Sequence, residues 1–167
     1  VLHSGAARPA IARLEEINQL LQVSQDVASS LEMRDTVKPV LEAILSTGAG
    51  SVRVVLSPEV LPETYVELSS RFALGPSQDV YGHLDDHILH LAQNQEKIVL
   101  PNMARSREFI LDSSKTQPLA LLAVALRHEN RYYGVVWAGY DQPRKFSDAD
   151  VRFVTTLAGQ AALAVAN

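Results

Sequence analysis

Apolar or small residues recur near the start of the chain at alternating spacings of three and four: Leu14, Ile17, Leu21, Ser24, Ala28 and Leu31. That spacing is one stripe of a helix, which Leu20 and Val27 widen. The helix is expected from about Pro9, whose missing N–H suits a first turn, to Leu31. Such a stripe serves either the chain's own core or a two-helix seam between copies, and the pattern leaves both open. Glu32 to Arg34 then reads as a short link. Asp35 is a candidate cap for a second helix with Val37, Val40, Leu41, Ile44 and Leu45 on one face, closed by Gly48 and Gly50.

The spacing changes after Gly50. Ser51 to Ser57 is β-branched and bounded by Gly and Pro, the pattern of a strand, and Thr64 to Leu74 alternates as a second one. Leu84, Ile88 and Leu91 mark a short helix over Leu84–Asn94, and Lys97 to Leu100 a short strand. Asn102 to Gln117 is polar and aperiodic, so a loop is expected. Leu119 to Leu126 and Tyr132 to Tyr140 are the two strongest strands, joined by a hairpin at His128–Arg131. Ser147 is the expected N-cap of a last helix, with Asp148 and Asp150 in its first turn and Val151, Val154, Leu157, Ala158, Ala161 and Val165 at helical spacing. The order predicts an α/β (α+β) fold: a central antiparallel sheet, the N- and C-terminal helices on one face and a variable helix/loop segment on the other.

Composition narrows the function. The 167 residues fit a single domain, and 47% hydrophobic with 20% charged residues is ordinary globular material. The chain divides into a leading helix over 9–31, a core over 35–146 and a last helix over 147–167. It opens on Val1, which reads as a fragment of a longer protein. No apolar run approaches membrane-spanning length, so no membrane contact is expected of this fragment. A net charge of -4 with both signs interspersed provides no basic face for nucleic acid. The chain has no cysteine, which excludes a disulfide, a thiol nucleophile and a thiolate ligand. A reducing, cytoplasmic location suits that composition.

The last third carries a pattern: Ala125-Leu126, a short polar hairpin, Gly134, Phe146-Ser147 with Asp150, and Ala158-Gly-Gln-Ala-Ala-Leu-Ala164. It resembles the end of a GAF domain. A leading helix, the spacing over Thr36–Ile44 and a first strand after Gly-Ala-Gly are also similar to that family, so the resemblance spans essentially the whole chain. It implies a sensory or regulatory domain, attached to an effector such as a kinase, a cyclic-dinucleotide enzyme or a transcription regulator. It also implies a homodimer through the terminal helices and a small-molecule ligand between the sheet and the middle segment. Tyr65, Tyr81, His83, Arg53, Arg127 and Trp137 are the residues in the matching region that can line such a pocket. The family members that attach a bilin, or that reduce free methionine sulfoxide, use cysteines, which this chain lacks.

No catalytic constellation accompanies the pattern. Neither a G-x-S-x-G elbow nor a phosphate-cradling glycine motif occurs. His83, His87 and His90 share one flank of a helix. They read as a solvated face, with a zinc or haem site the sharper alternative. Asp85-Asp86 and Asp148/Asp150 lie at helix starts, where carboxylates offset the macrodipole. The expectation is a non-enzymatic regulatory domain with no cofactor and no metal; the alternative is a structural dimerisation or spacer module without a ligand.

Overall fold

The computed structural model describes residues 2–61, 70–107, 109 and 112–167, with side chains described for these except 2–8, 26–27 and 29–30. The two expected leading helices are one, α1 (Leu2–Leu45). Nothing in Glu32-Met33-Arg34 stops a helix, because all three are good helix formers. The Thr36 hydroxyl donates back to the Glu32 carbonyl at 2.7 Å, inside the turn. Asp35 therefore lies within α1 and caps nothing. The helix ends in a turn in which Gly48 adopts a φ of +100°, the left-handed conformation that terminates helices.

Five strands follow in one sheet: β1 (Ser51–Leu56), β2 (Arg71–Leu74), β3 (Lys97–Leu100), β4 (Ala120–His128) and β5 (Arg131–Tyr140). Their order is β2-β1-β5-β4-β3, and every neighbouring pair is antiparallel. Of the expected strand Thr64–Leu74, β2 is the part seen; residues 64–69 lie outside the described residues. β4 and β5 form the expected hairpin. Glu129 and Asn130 take φ values of 51° and 64°, the paired left-handed residues of a tight two-residue turn whose twist matches the strands. Gly134 sits where β5 crosses β1, and a Cβ there would meet the Val55 carbonyl oxygen at 2.2 Å. Only a glycine lets the β1 backbone come this close at that φ of +148°.

α2 (Asp85–Ala92) and α3 (Asp148–Ala166) complete the fold. One face of the sheet presents Val52, Val54, Leu122, Val124, Val136 and Ala138 to α1 and α3. α1 contributes Val37, Val40, Leu41 and Ile44; α3 contributes Val154 and the small Ala158, Ala161 and Ala162, which let it settle close over β4. The other face presents Val55, Leu121, Ala123, Val135 and Trp137 to α2 and the segment around it. Ser147 caps α3 as expected: its hydroxyl accepts from Asp150 N at 3.1 Å, while the Asp150 carboxylate accepts from Ser147 N at 3.0 Å. That backbone hydrogen bond holds the Asp150 carboxyl below its ordinary range.

Candidate functional site

The α2 side of the sheet is where polar chemistry is sealed in. Arg53 stands in the middle of β1, opposite Trp137 of β5 across the ladder. A charge in an otherwise apolar strand needs a partner once it is buried. The partner is Asp85, the first residue of α2, which is 0% exposed. Its carboxylate accepts from Arg53 Nε at 2.8 Å and Nη2 at 2.7 Å, and from Trp137 Nε1 at 2.8 Å. Arg71 of β2 approaches the same carboxylate at 3.6 Å and bonds the exposed Asp86 at 2.6 Å. Arg53 Nη1 also donates to the Gln78 carbonyl. Gly82 leaves room for the guanidinium, since a Cβ there would lie 3.1 Å from Arg53 Nη2.

Tyr81 lies next to this cluster but faces another acid. Its buried hydroxyl donates to Asp141, which Ser77 also reaches at 3.3 Å. Burial, and then the bond to Asp141, push the Tyr81 phenol from 10.0 up to about 12. Arg127 lies apart, at the far end of β4. Its guanidinium stacks 5.1 Å over the Tyr132 ring and donates to the Gln93 carbonyl, capping the C-terminal end of α2. The Tyr132 hydroxyl bonds the Leu89 carbonyl at 2.6 Å, and burial pushes its phenol up. His83 Nε2 is 2.7 Å from the Thr116 carbonyl. Tyr65 lies outside the described residues.

Of the residues expected to line a pocket, Arg53 and Trp137 thus meet on Asp85, Tyr81 packs into the same core, and His83 and Arg127 lie elsewhere. Between the sheet and the middle segment the space is filled by Tyr81, Ile88, Met103, Phe109 and Trp137, all buried. An open cavity of about 300 Å³ lies between the start of α2, Phe109 and residues 112–117. Among the described residues no group of three or more His, Asp or Glu is placed to hold a metal ion.

Asp85 was not singled out by the sequence, where the Asp85-Asp86 pair reads as solvated carboxylates at a helix start. Asp86 is that, with its side chain 81% exposed; Asp85 is the reverse. The signal was in β1 rather than in the pair, because Arg53 among Val52, Val54 and Val55 calls for a buried anion.

Two further features concern the helices. The end of α1 is clamped to the start of α3: Tyr140 and Thr47 hydroxyls share a 2.7 Å bond, and Arg144 donates to the Thr47 carbonyl at 2.6 Å. Arg144 in turn stacks on Tyr140 and lies 3.7 Å from Asp150 of the α3 cap. The second feature is the face of α1. At about 100° per residue, Met33, Val37, Val40, Leu41 and Ile44 share the face turned to the sheet. Leu14, Ile17, Leu21 and Leu31 lie about half a turn away from it by helical spacing, in a part of α1 where every described side chain from 9 to 25 is exposed whatever its face. The apolar stripe changes face between Leu31 and Met33.

An antiparallel sheet with its terminal helices on one face and a short helix on the other defines an α+β domain. The family description of the GAF domain matches residues 82–167, and the chain belongs to that family. No curated protein matches the sequence. Solved structures share the fold at low identity. The GAF domain of an Acinetobacter phosphoenolpyruvate-protein phosphotransferase is 19% identical over 91% of this chain and 93% of that one, with a TM-score of 0.55. A GAF domain/HD domain protein from Geobacter sulfurreducens is 20% identical over 80% and 92%, at 0.52. A type II free methionine-R-sulfoxide reductase from Thermoplasma acidophilum is 14% identical over 81% and 94%, at 0.60.

Proposed function

We propose that this GAF domain is a non-enzymatic regulatory module that pairs with a second copy along α1 and passes a signal to an attached effector domain. The observation that carries the reading is the change of face in α1. A helix whose only task was to cover its own sheet would keep its apolar stripe on the sheet side. Here Leu14, Ile17, Leu21 and Leu31 turn away from it at coiled-coil spacing. A second α1, laid parallel, covers that stripe. The clamp of Thr47, Tyr140 and Arg144 makes α1 and α3 move with the sheet end, so a change in domain packing biases the geometry of the seam. Similar folds occur in a phosphotransferase and beside an HD domain, which supports an effector in the same chain. The methionine sulfoxide chemistry of the Thermoplasma protein has no thiol to run on here. No described helix is long and apolar enough to cross a membrane.

Sedimentation equilibrium tests the seam. The wild-type chain is expected at twice its monomer mass, and Ile17→Glu with Leu21→Glu at the monomer mass with an unchanged thermal transition. A wild-type monomer, or a folded double variant that stays dimeric, overturns it. The filled layer around Trp137 favours a second reading, a dimerisation spacer without a ligand. A thermal-shift screen separates the two, since a ligand at 100-fold its dissociation constant adds about 2.7 kcal/mol.

A further inference from the structure

We infer that the cavity between the start of α2, Phe109 and residues 112–117 is a binding site for a small apolar carboxylic acid that also carries an N–H or O–H donor. The cavity, about 300 Å³, is at the small end of ligand sites. None of its lining residues belongs to the sheet, and it shares only Leu84 and Phe109 with the buried layer around Trp137. Leu84 and Phe109 form its apolar wall; both are buried parts of the α2-side core and therefore fixed in place. The His87 ring meets Phe109 edge-on at 4.8 Å and extends that wall. A hydrocarbon or aromatic body fits against this surface.

The polar groups define the other two ends of the ligand. Lys115 supplies a cation at the mouth, and His83 is held beside it by its 2.7 Å contact with the Thr116 carbonyl. Together they suit a carboxylate. Asp112 also lines the cavity, so a ligand carboxylate shares Lys115 with it; its bonds from Ser114, with Lys115 and His83 nearby, hold its own carboxyl below the ordinary range. Its carboxylate already accepts from Ser114 N at 2.9 Å and Ser114 Oγ at 2.6 Å. Deeper in, Gln117 donates to the Asp112 carbonyl at 3.3 Å, while its Oε1 is buried with no hydrogen-bond partner. A buried acceptor left without a donor is costly. A hydroxyl or ammonium beside the carboxylate supplies that donor.

The site would be the input of the regulatory module and rests on that reading only for its role; binding itself is measured separately from dimerisation. The test is a ¹H–¹⁵N titration of the full chain with phenylacetate, 3-phenyllactate and phenylalanine. The first has no donor; the others offer a hydroxyl and an ammonium. Saturable shifts are expected at amides of 83–87 and 112–117, with a dissociation constant on the order of 0.1–1 mM for a donor-bearing acid. Phenylacetate is expected roughly tenfold weaker. Gln117→Leu should remove that difference and leave phenylacetate unchanged, whereas Lys115→Ala should weaken all three alike. The better of the two donor probes tells a hydroxy acid from an amino acid. Absence of saturable shifts at these amides at about 10 mM of every probe overturns the site. Equal affinity for all three in the wild type overturns the donor requirement. Either failure leaves the sedimentation result standing, and a monomer there leaves the titration standing.

Discussion

Where α1 and α3 cover the sheet, the contact is made of valine, leucine, isoleucine and alanine, with Ile44, Leu122 and Val136 fully buried. Where α2 covers it, a carboxylate, a guanidinium and an indole N–H are sealed together under the same strands. The two faces differ in what fixes them. An aliphatic layer is held by volume and tolerates sliding; a buried ion pair is worth little in net stability but accepts one arrangement. α2 is therefore keyed to β1 and β5 at Asp85, while α1 and α3 are held on the sheet by apolar packing and, at one end, by the Thr47–Tyr140–Arg144 clamp.

The largest effect expected is on the keyed face. Asp85→Ala strands the Arg53 guanidinium and the Trp137 N–H in the core and should cost about 3–5 kcal/mol in urea unfolding. Arg53→Leu combined with Asp85→Leu should regain most of that loss, because no charge then remains buried. If the double variant is as unstable as the single one, the cluster does more than satisfy itself, and the contrast between the faces is wrong. On the aliphatic face, Ala161→Leu should cost about 1–3 kcal/mol, since Ala161 is 1% exposed and a larger side chain must lever α3 off the sheet. A neutral result would mean that α3 shifts even more freely than the packing implies.

This contrast also explains what could be read in the residues. The aliphatic face was legible because apolar spacing records it directly: Val37, Val40, Leu41 and Ile44 on a helix, and Val151, Val154 and Ala158 on another, needed no partner to be recognised. The pairing of β4 with β5 followed from the hairpin at His128–Arg131, while the order of the remaining strands was not read from the sequence. The keyed face was only half legible: Arg53 in an apolar strand calls for an anion, but its partner Asp85 is 32 positions away and alone reads as an ordinary helix-start carboxylate. The break assigned to Glu32–Arg34 failed for the opposite reason. The apolar stripe does break there, but through a change of face within an unbroken helix, and a stripe cannot tell a link from a rotation of its partner.

A smaller effect probes the joint between the faces and the output helix. Ser147→Ala removes one half of the reciprocal cap on α3 and should cost about 1 kcal/mol at neutral pH. The Asp150 half has an acid signature. Its folded-state pKa lies below the ordinary 3.8, so its stabilisation is complete above that value and is lost as pH falls through the depressed one. Asp150→Asn should flatten that acid limb in a pH series of thermal transitions; an unchanged limb would show that the cap does not bear on stability.

The finest test returns to the keyed face at high pH. Tyr81 donates to Asp141 from a buried position, and burial raises its phenol from 10.0 to about 12. A folded-state pKa above the unfolded one stabilises fully below the unfolded value and loses that stabilisation as pH rises through the folded one. Between pH 10 and about 12 the unfolded chain has therefore released a proton that the folded chain retains, and stability falls with pH. Tyr81→Phe should make that fall shallower while lowering stability at pH 7 by about 0.5–1.5 kcal/mol for the lost hydrogen bond. Tyr132, raised by its own burial beside α2, keeps part of the slope in the variant. An alkaline limb identical to the wild type's would place the Tyr81 hydroxyl in contact with water. The segment that joins β2 to α2 would then be looser than the Asp85 key requires.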